Sequence, residues 1–255
     1  MTGMRMIRAD LLKVYRRRAL MVWSAVLFVG VQLLYYGFEG ARHAIDPAHY
    51  GPAGGARGLA NAMMLVTDLG GVAAVIVGTA AGGGDVAAGV FRDLVSTGRS
   101  RLSLFAVRLP AALVVTWAFA IPAVVVATVG AVVLAGGGTA PGAGALVQCG
   151  LAAIVSASVT TVLAVGLSSL LSSRSIAIGL LLCWNLALAR ALEHASGFGQ
   201  VRELLPNAAG ERLAPTLAGG SYTVPMSVAT AVIVLLAWAT VASLAGAWRT
   251  VRRDA

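Results

Sequence analysis

Charged residues are scarce in this chain of 255 residues. Asp, Glu, Lys and Arg make up 11% of it, whereas 58% of the residues are hydrophobic and the mean hydropathy is +0.86. A soluble domain usually has about 25% charged residues, and so few charges cannot cover the outside of a water-soluble core of this composition. The composition excludes a soluble globular protein and predicts an integral membrane protein.

Residue types that carry catalytic or metal chemistry are also rare. The only lysine, Lys13, is not preceded by the glycines of the GxxxxGK[ST] loop that cradles nucleotide phosphates, so we expect no ATPase activity in this chain. The two cysteines, Cys149 and Cys183, lie inside apolar runs without a CxxC motif, which argues against a disulfide or metal role. No Ser/His/Asp or Cys/His set stands in a defensible arrangement. We therefore assign no catalytic residue and do not predict an enzyme.

One short segment has several groups that could bind a metal. Residues 39–50 contain His43, Asp46 and His49, with Pro47 among them. Protein zinc sites use three or four well-placed ligands, and Pro47 breaks the helix that would place these three. We predict no metal site.

Six apolar runs make up most of the chain. A spanning helix needs about 20 apolar residues, so the runs predict an all-α integral membrane protein with six transmembrane helices in a single domain, 1–255. The basic segment 1–18 before the first run predicts an amphipathic helix at the membrane interface. The fifth run is short, and it either continues through Arg190 or lies in a thinned part of the bilayer. The spans are predicted at about 19–38, 60–83, 111–135, 145–171, 176–189 and 224–248.

Basic residues are distributed unevenly between the loops. Alternate segments beginning with the N-terminal one contain fourteen Lys and Arg, and the intervening segments contain five. Because loops rich in Lys and Arg stay in the cytoplasm, both termini are predicted to be cytoplasmic. The arginines form separate clusters between apolar runs rather than one patch, which argues against a nucleic-acid partner and indicates membrane lipid.

Small residues recur every four positions in two of the runs. Such ridges allow helix backbones to approach closely in a membrane, where lipid supplies no hydrophobic drive. We therefore predict helix-packing faces in the second and fourth runs, although a chain rich in alanine and glycine can also produce such ridges by chance. The ridges are Gly70, Ala74, Gly78 and Gly82 in the second run, and Ser156, Thr160, Ala164 and Ser168 in the fourth.

The segment GDVAAGVFRDLVSTGRSRLSLFAVRLP, residues 84–110, interrupts the apolar pattern. On a helix, Val86, Val90 and Leu94 would share one face, and Arg92 and Arg99 would point elsewhere. The segment is too charged to cross a bilayer and too short to form a domain. It is predicted to be a cytoplasmic amphipathic helix that either lies on lipid headgroups or docks into a groove of a partner.

This segment resembles the signature between the second and third spans of type-2 (ABC-2-like) permeases of ATP-binding-cassette transporters. In that family an acid is followed by small residues and a glycine, then by a leucine, Ser or Thr, and an arginine, and a basic residue precedes the next span. The family more often has Glu and then Arg at the positions of Asp85 and Val86, and Lys at that of Arg108. The matching residues are Asp85, Gly89, Leu94, Ser96, Thr97, Arg101 and Arg108.

The resemblance implies that the segment contains a coupling helix that fits a cleft of a separate ATPase subunit. It also implies a permease subunit of an ATP-driven exporter in the cytoplasmic membrane, with a second, identical or related, permease chain. ATP and magnesium would bind to the ATPase, and this chain would hold no cofactor. Outer or re-entrant helices are implied for 189–213. The implied coupling residues are Asp85, Gly89, Phe91, Arg92, Leu94, Thr97, Arg99 and Arg101.

Few polar residues lie inside the predicted spans. Asp68 is the only acid there; it is either functional, as intramembrane acids generally are, or hydrated at the outer interface if its span begins near Val66. Trp184 and Asn185 either line a substrate path, or Asn185 bonds a neighbouring helix. We name Asp68, Trp184 and Asn185 as a candidate substrate path.

Two other classes of membrane protein compete with this interpretation. A secondary transporter typically has internal repeats and ion-binding acids near the middle of the bilayer, and the sequence has no recognisable repeat. A membrane scaffold without transport activity is the other alternative.

Overall fold

The computed structural model describes residues 2–87, 89, 98, 100–137, 139–217 and 220–252. Within these ranges the chain is helical and has no strand, and six of its helices are long and apolar enough to cross a membrane. The predicted all-α class and the six helices of spanning length are confirmed, and the chain is a multi-pass membrane protein by helix length and composition. The helices are α1 (Thr2–Tyr15), α2 (Arg18–Ile45), α3 (Gly55–Ala87), α4 (Arg101–Ala106), α5 (Arg108–Val133), α6 (Ala143–Leu171), α7 (Arg174–His194), α8 (Pro206–Leu213) and α9 (Val228–Arg252).

Short polar links separate helices that would otherwise run together. Ser172 ends α6 in the left-handed conformation, with φ 59°, and the Ser173 hydroxyl then accepts a hydrogen bond from the Ile176 amide at the start of α7. A left-handed residue followed by a serine cap is a common way to stop one helix and start the next. The pair α6–α7 is therefore a hairpin with a two-residue turn.

Helix α3 is the centre of the bundle. Its most apolar window is 56% buried, against 17% for α7 and α9, and it packs against α5, α6 and α7. A Cβ atom at Gly78 would lie 2.6 Å from the Ala164 Cβ and 2.6 Å from the Thr161 carbonyl oxygen, and one at Gly82 would collide with Ser168. Gly78 and Gly82 of the predicted α3 ridge thus contact Ala164 and Ser168 of the predicted α6 ridge, whereas Gly70 faces Phe28 of α2 and Ser156 faces Gly210 of α8.

Two hydrogen bonds of polar side chains connect spanning helices inside the bundle. The buried hydroxyls of Thr116 on α5 and Thr161 on α6 lie 2.9 Å apart, and the Tyr36 hydroxyl of α2 donates to the Ala127 carbonyl of α5 at 2.7 Å. Such hydrogen bonds fix the relative orientation of the helices, because the hydrophobic effect does not drive helix association in lipid.

Several helix ends meet at one end of the bundle. Val14 of α1 and Leu20 of α2 share a buried cluster with Phe105 of α4, and the Arg101 side chain donates to the Val251 carbonyl near the end of α9 at 3.1 Å. We call this the basic end, because Arg16, Arg17, Arg18, Arg249 and Arg252 also lie on its helix ends.

Candidate functional site

A network of charged side chains centred on Asp85 joins three helices at the basic end. The Asp85 Oδ2 atom accepts from Arg108 Nη2 of α5 at 3.0 Å, and its Oδ1 atom accepts from Lys13 Nζ of α1 at 3.1 Å. Lys13 also pairs with Asp10 one turn earlier in α1, at 3.0 Å. A single carboxylate near the end of α3 therefore binds both α1 and α5.

The two ion pairs of Asp85 differ in burial. The Arg108 side chain is 2% exposed and that of Asp85 is 14% exposed, whereas Lys13 is 44% exposed. Arg108 Nη1 also donates to the Gly82 carbonyl at 3.0 Å, and this oxygen accepts a second bond from the Ser169 hydroxyl of α6 at 3.1 Å. Because an exposed pair contributes little and a buried charge needs its partner, the Asp85–Arg108 pair dominates this network.

Lys13 lies outside the spanning helices and responds to the acids around it. Its partial burial lowers its pKa, but the hydrogen bonds and charges of Asp10 and Asp85 outweigh this effect, and the pKa is raised above the usual 10.5. Lys13 is therefore a stable cation that links α1 to the end of α3.

The predicted coupling residues fall partly within the structure. Asp85 lies in the network described above, Arg101 binds the backbone of α9, and Gly89 is an exposed turn residue with φ 70°, a conformation that glycine adopts without strain. Val86 is on the last turn of α3. The other predicted coupling residues lie outside the described part of the chain: Phe91, Arg92, Leu94, Thr97 and Arg99.

The second site is a cavity of about 350 Å³ between α3, α6, α7 and α8. It is lined by Asp68, Trp184 and Asn185, so the structure brings the three residues of the predicted substrate path together. Asp68 precedes Asp85 by 17 residues on the same helix, which corresponds to about 25 Å along α3. The cavity, which we call the distal cavity, therefore lies far from the basic end.

An ion pair joins two helices at the distal cavity. Arg190 Nη2 of α7 donates to Asp68 Oδ1 of α3 at 2.7 Å, and both side chains are partly exposed. Asp68 is therefore a paired acid rather than an isolated one. Asn185, one turn before Arg190, makes no side-chain hydrogen bond to any residue that the structure describes, so the predicted bond to a neighbouring helix is not formed there.

Helix α7 is longer than the predicted fifth span of 176–189 and follows the alternative in which this span continues through Arg190. It ends at His194, after a wide π-helical turn at Trp184–Leu188. Asp68 is therefore not the only acid in a helix of spanning length, because Glu39 lies in α2, Asp85 in α3 and Glu193 in the last turn of α7. The charge of Arg190 lowers the hydropathy at this point, so the apolar run, judged by hydropathy, ends there. In the structure this charge is paired with Asp68 on another helix, and the sequence alone does not show this pairing.

Glu193 is the least expected residue of the distal cavity. It lines the cavity, its exposure is 1%, and neither carboxylate oxygen has a hydrogen-bond partner among the described residues. Buried polar groups are nearly always hydrogen-bonded in folded proteins. Glu193 is therefore a charged or chargeable group whose partner is not supplied by the described side chains.

The segment predicted as outer or re-entrant helices closes one side of the cavity. Helix α8 begins at Pro206, buries Ala208 and Ala209, and packs against α6 and α9. A Cβ at Gly210 would lie 2.9 Å from the Ser156 hydroxyl oxygen of α6. Next to it, the Glu211 carboxylate accepts bonds from the Thr223 amide and hydroxyl at 3.1 and 3.2 Å.

No protein-family model matches the chain, and no curated protein matches it. Function must be argued from the two sites. The network at the basic end can fix the ends of the spans on either side of segment 84–110, and the distal cavity can enclose a small molecule beside several carboxylates.

Proposed function

We propose that this chain is the permease subunit of an ATP-driven exporter of the ATP-binding-cassette type, powered by a separate ATPase subunit. The observation that carries the proposal is the Asp85–Arg108 pair. These residues stand at the start and near the end of the segment that resembles a coupling helix, and they are 3.0 Å apart. The pair closes the base of this segment, so a force on the segment would reach α3 and α5 together.

The distribution of charge supports the same assignment. Lys13 extends the network to α1, and the basic end contains the arginine clusters that the positive-inside rule places in the cytoplasm. The ATPase, with its ATP and magnesium, would bind at this end, and a second permease chain would complete the transport path. Helix α1 would lie at the membrane interface.

The contact with the ATPase is proposed to follow the usual pattern of protein interfaces. Phe91 and Leu94 would be the apolar anchors in the ATPase cleft, and Arg92 and Arg99 would pair with acids at its rim. Buried anchors contribute most of the affinity at such interfaces, whereas rim charges mainly affect association rate and salt dependence.

Co-purification with the ATPase encoded by a neighbouring gene tests the proposal. The double variant Phe91→Ala/Leu94→Ala should lose the ATPase, since truncating a buried anchor commonly costs about 2 kcal/mol or more. The matched control is Leu244→Ala, which changes an exposed leucine of α9 that is 64% accessible. A double variant that keeps its ATPase and its transport at wild-type expression would contradict the proposal.

A second candidate function, a secondary transporter, is favoured by one observation. Glu193 is a buried acid at the end of a spanning helix that contains a π-helical turn, and ion-coupled transporters use acids beside interrupted helices. Vesicles that contain only this chain separate the two functions. Transport driven by an ion gradient without any ATPase would support the second candidate and contradict the first.

A further inference from the structure

The distal cavity has the opposite charge from the rest of the protein. The chain has a formal net charge of +9 and only ten acids, yet three of those acids line this one cavity: Asp68, Glu193 and Glu211. Arg190 is the one basic residue in its lining, among the described residues. The acids are in excess, so the cavity is attractive to cations.

The nearby arginines hydrogen-bond to groups other than the Glu193 carboxylate. Arg190 is bound to Asp68 at 2.7 Å. Arg202 donates to the backbone carbonyls of Glu193 and Gly199, both at 3.1 Å. Arg212 donates to the Met226 carbonyl at 2.6 Å and to the Tyr222 hydroxyl at 3.1 Å.

The uncharged lining fits a ligand with an apolar body. Trp184 and Tyr222 supply aromatic rings, and Met63, Met64 and Leu181 supply flexible apolar surface. Aromatic faces attract organic cations, and a volume of about 350 Å³ falls within the range of about 300–1,000 Å³ that small-molecule sites occupy. A bare metal ion fits less well, because no three His, Cys, Asp or Glu side chains of the described residues converge as a metal site.

We propose that the distal cavity binds a hydrophobic organic cation, an ammonium or phosphonium compound, with Glu193 as its counter-ion. A carboxylate buried without a partner is strongly unfavourable, and a bound cation would supply the missing charge. The apolar lining would hold the body of the ligand, and Asp68, already paired with Arg190, would contribute less. That this cation is the exported cargo rests on the proposed function, whereas its binding does not.

Binding is tested on the purified full chain in phosphatidylcholine nanodiscs, without any ATPase. The probe is tritiated tetraphenylphosphonium, and the matched competitor is triphenylphosphine oxide, an uncharged compound that also carries phenyl groups on phosphorus. Saturable binding that is displaced by unlabelled tetraphenylphosphonium and not by triphenylphosphine oxide is expected. Because the ATPase is absent, this result is separate from the co-purification experiment, and either can fail alone.

Two substitutions move the affinity in opposite directions. Glu193→Gln should weaken tetraphenylphosphonium binding by about tenfold or more, equivalent to about 1.4 kcal/mol, because the counter-ion is lost. Arg190→Gln should strengthen binding, because it frees the Asp68 carboxylate. Glu203→Gln is the matched control, since Glu203 is in the adjoining segment and does not line the cavity; it should bind as the wild type does.

Several results would overturn the inference. Unchanged affinity in a folded Glu193→Gln variant, or equal displacement by triphenylphosphine oxide, would show that the probe only partitions into apolar surface. If Glu193→Gln does not fold, Arg190→Gln decides: an affinity equal to or lower than that of the wild type contradicts the proposal.

Discussion

Replacing Asp85 with asparagine removes one charge from the centre of the network at the basic end. The change keeps the shape of the side chain, but it removes the ion pairs with Arg108 and Lys13. The Arg108 guanidinium is 2% exposed, so water cannot replace the lost carboxylate. Its bond to the Gly82 carbonyl remains, but a neutral acceptor does not balance a buried positive charge.

The magnitude follows from the burial of each pair. Removing one partner of a buried ion pair costs about 3–5 kcal/mol, and the 14% exposure of Asp85 places Asp85→Asn near the lower limit. The matched control is Asp10→Asn, because Lys13, an exposed residue, is the ion-pair partner of Asp10 in the described part of the chain. Exposed pairs contribute about 0–1 kcal/mol, so the two asparagine variants should differ by about 2 kcal/mol or more in unfolding free energy.

Unfolding of the purified chain in mixed micelles, titrated with sodium dodecyl sulfate and followed by tryptophan fluorescence, measures both variants. The double variant Asp85→Asn/Arg108→Met should recover part of the loss, because it removes the buried cation together with the acid that pairs with it. Equal unfolding free energies for Asp85→Asn and Asp10→Asn would refute the view that the Asp85–Arg108 pair holds α3 and α5 together.

Two further predictions concern packing and orientation. Gly78→Ala should destabilise the bundle by about 1–3 kcal/mol, because the new Cβ would meet α6. The control, Gly71→Ala on the same helix, should be neutral or stabilising by up to about 1 kcal/mol, because no atom outside its own helix lies within 4 Å of a Cβ at this position. Equal effects of the two substitutions in the same micelle titration would contradict the packing argument. A reporter enzyme that is active only in the periplasm, fused to the C-terminus, should be silent, and its activity would reverse the predicted orientation.

The helices could be predicted from the sequence because their causes are local. Long apolar runs specify spanning helices wherever they stand in the chain, and the spacing of Gly78 and Gly82 already indicated a packing face. Their partners, Ala164 and Ser168, belong to the second ridge that the spacing identified. The two patterns therefore predicted a packing face on each helix, but they did not show that the two faces pack against each other.

The charged contacts could not be predicted in this way. Asp68 and Arg190 are 122 residues apart, and Lys13 and Asp85 are 72 apart. Two residues so far apart in the sequence produce no periodic pattern. Each of these charged residues, considered alone, indicates only that an apolar run ends there. The sequence therefore predicted a fifth span that ended at residue 189, with continuation through Arg190 as one of two alternatives, and it did not place Glu193 in that span. The nearest available signal was their spacing of three, which puts both residues on one side of a helix.

The positions of Asp68, Arg190 and Glu193 connect the two sites in the proposed exporter. Asp68 is on α3, which the glycine contacts fix against α6, whereas Arg190 and Glu193 are one turn apart on α7, whose most apolar window is only 17% buried. A displacement of α3 by ATP-driven movement at the basic end would separate Asp68 from Arg190. The freed guanidinium could then reach Glu193, and its positive charge would expel a bound cation.

ATP should therefore lower the affinity of the assembled transporter for tetraphenylphosphonium in the wild type, and less so in the Arg190→Gln variant. Equal lowering in both would show that Arg190 does not take part in release.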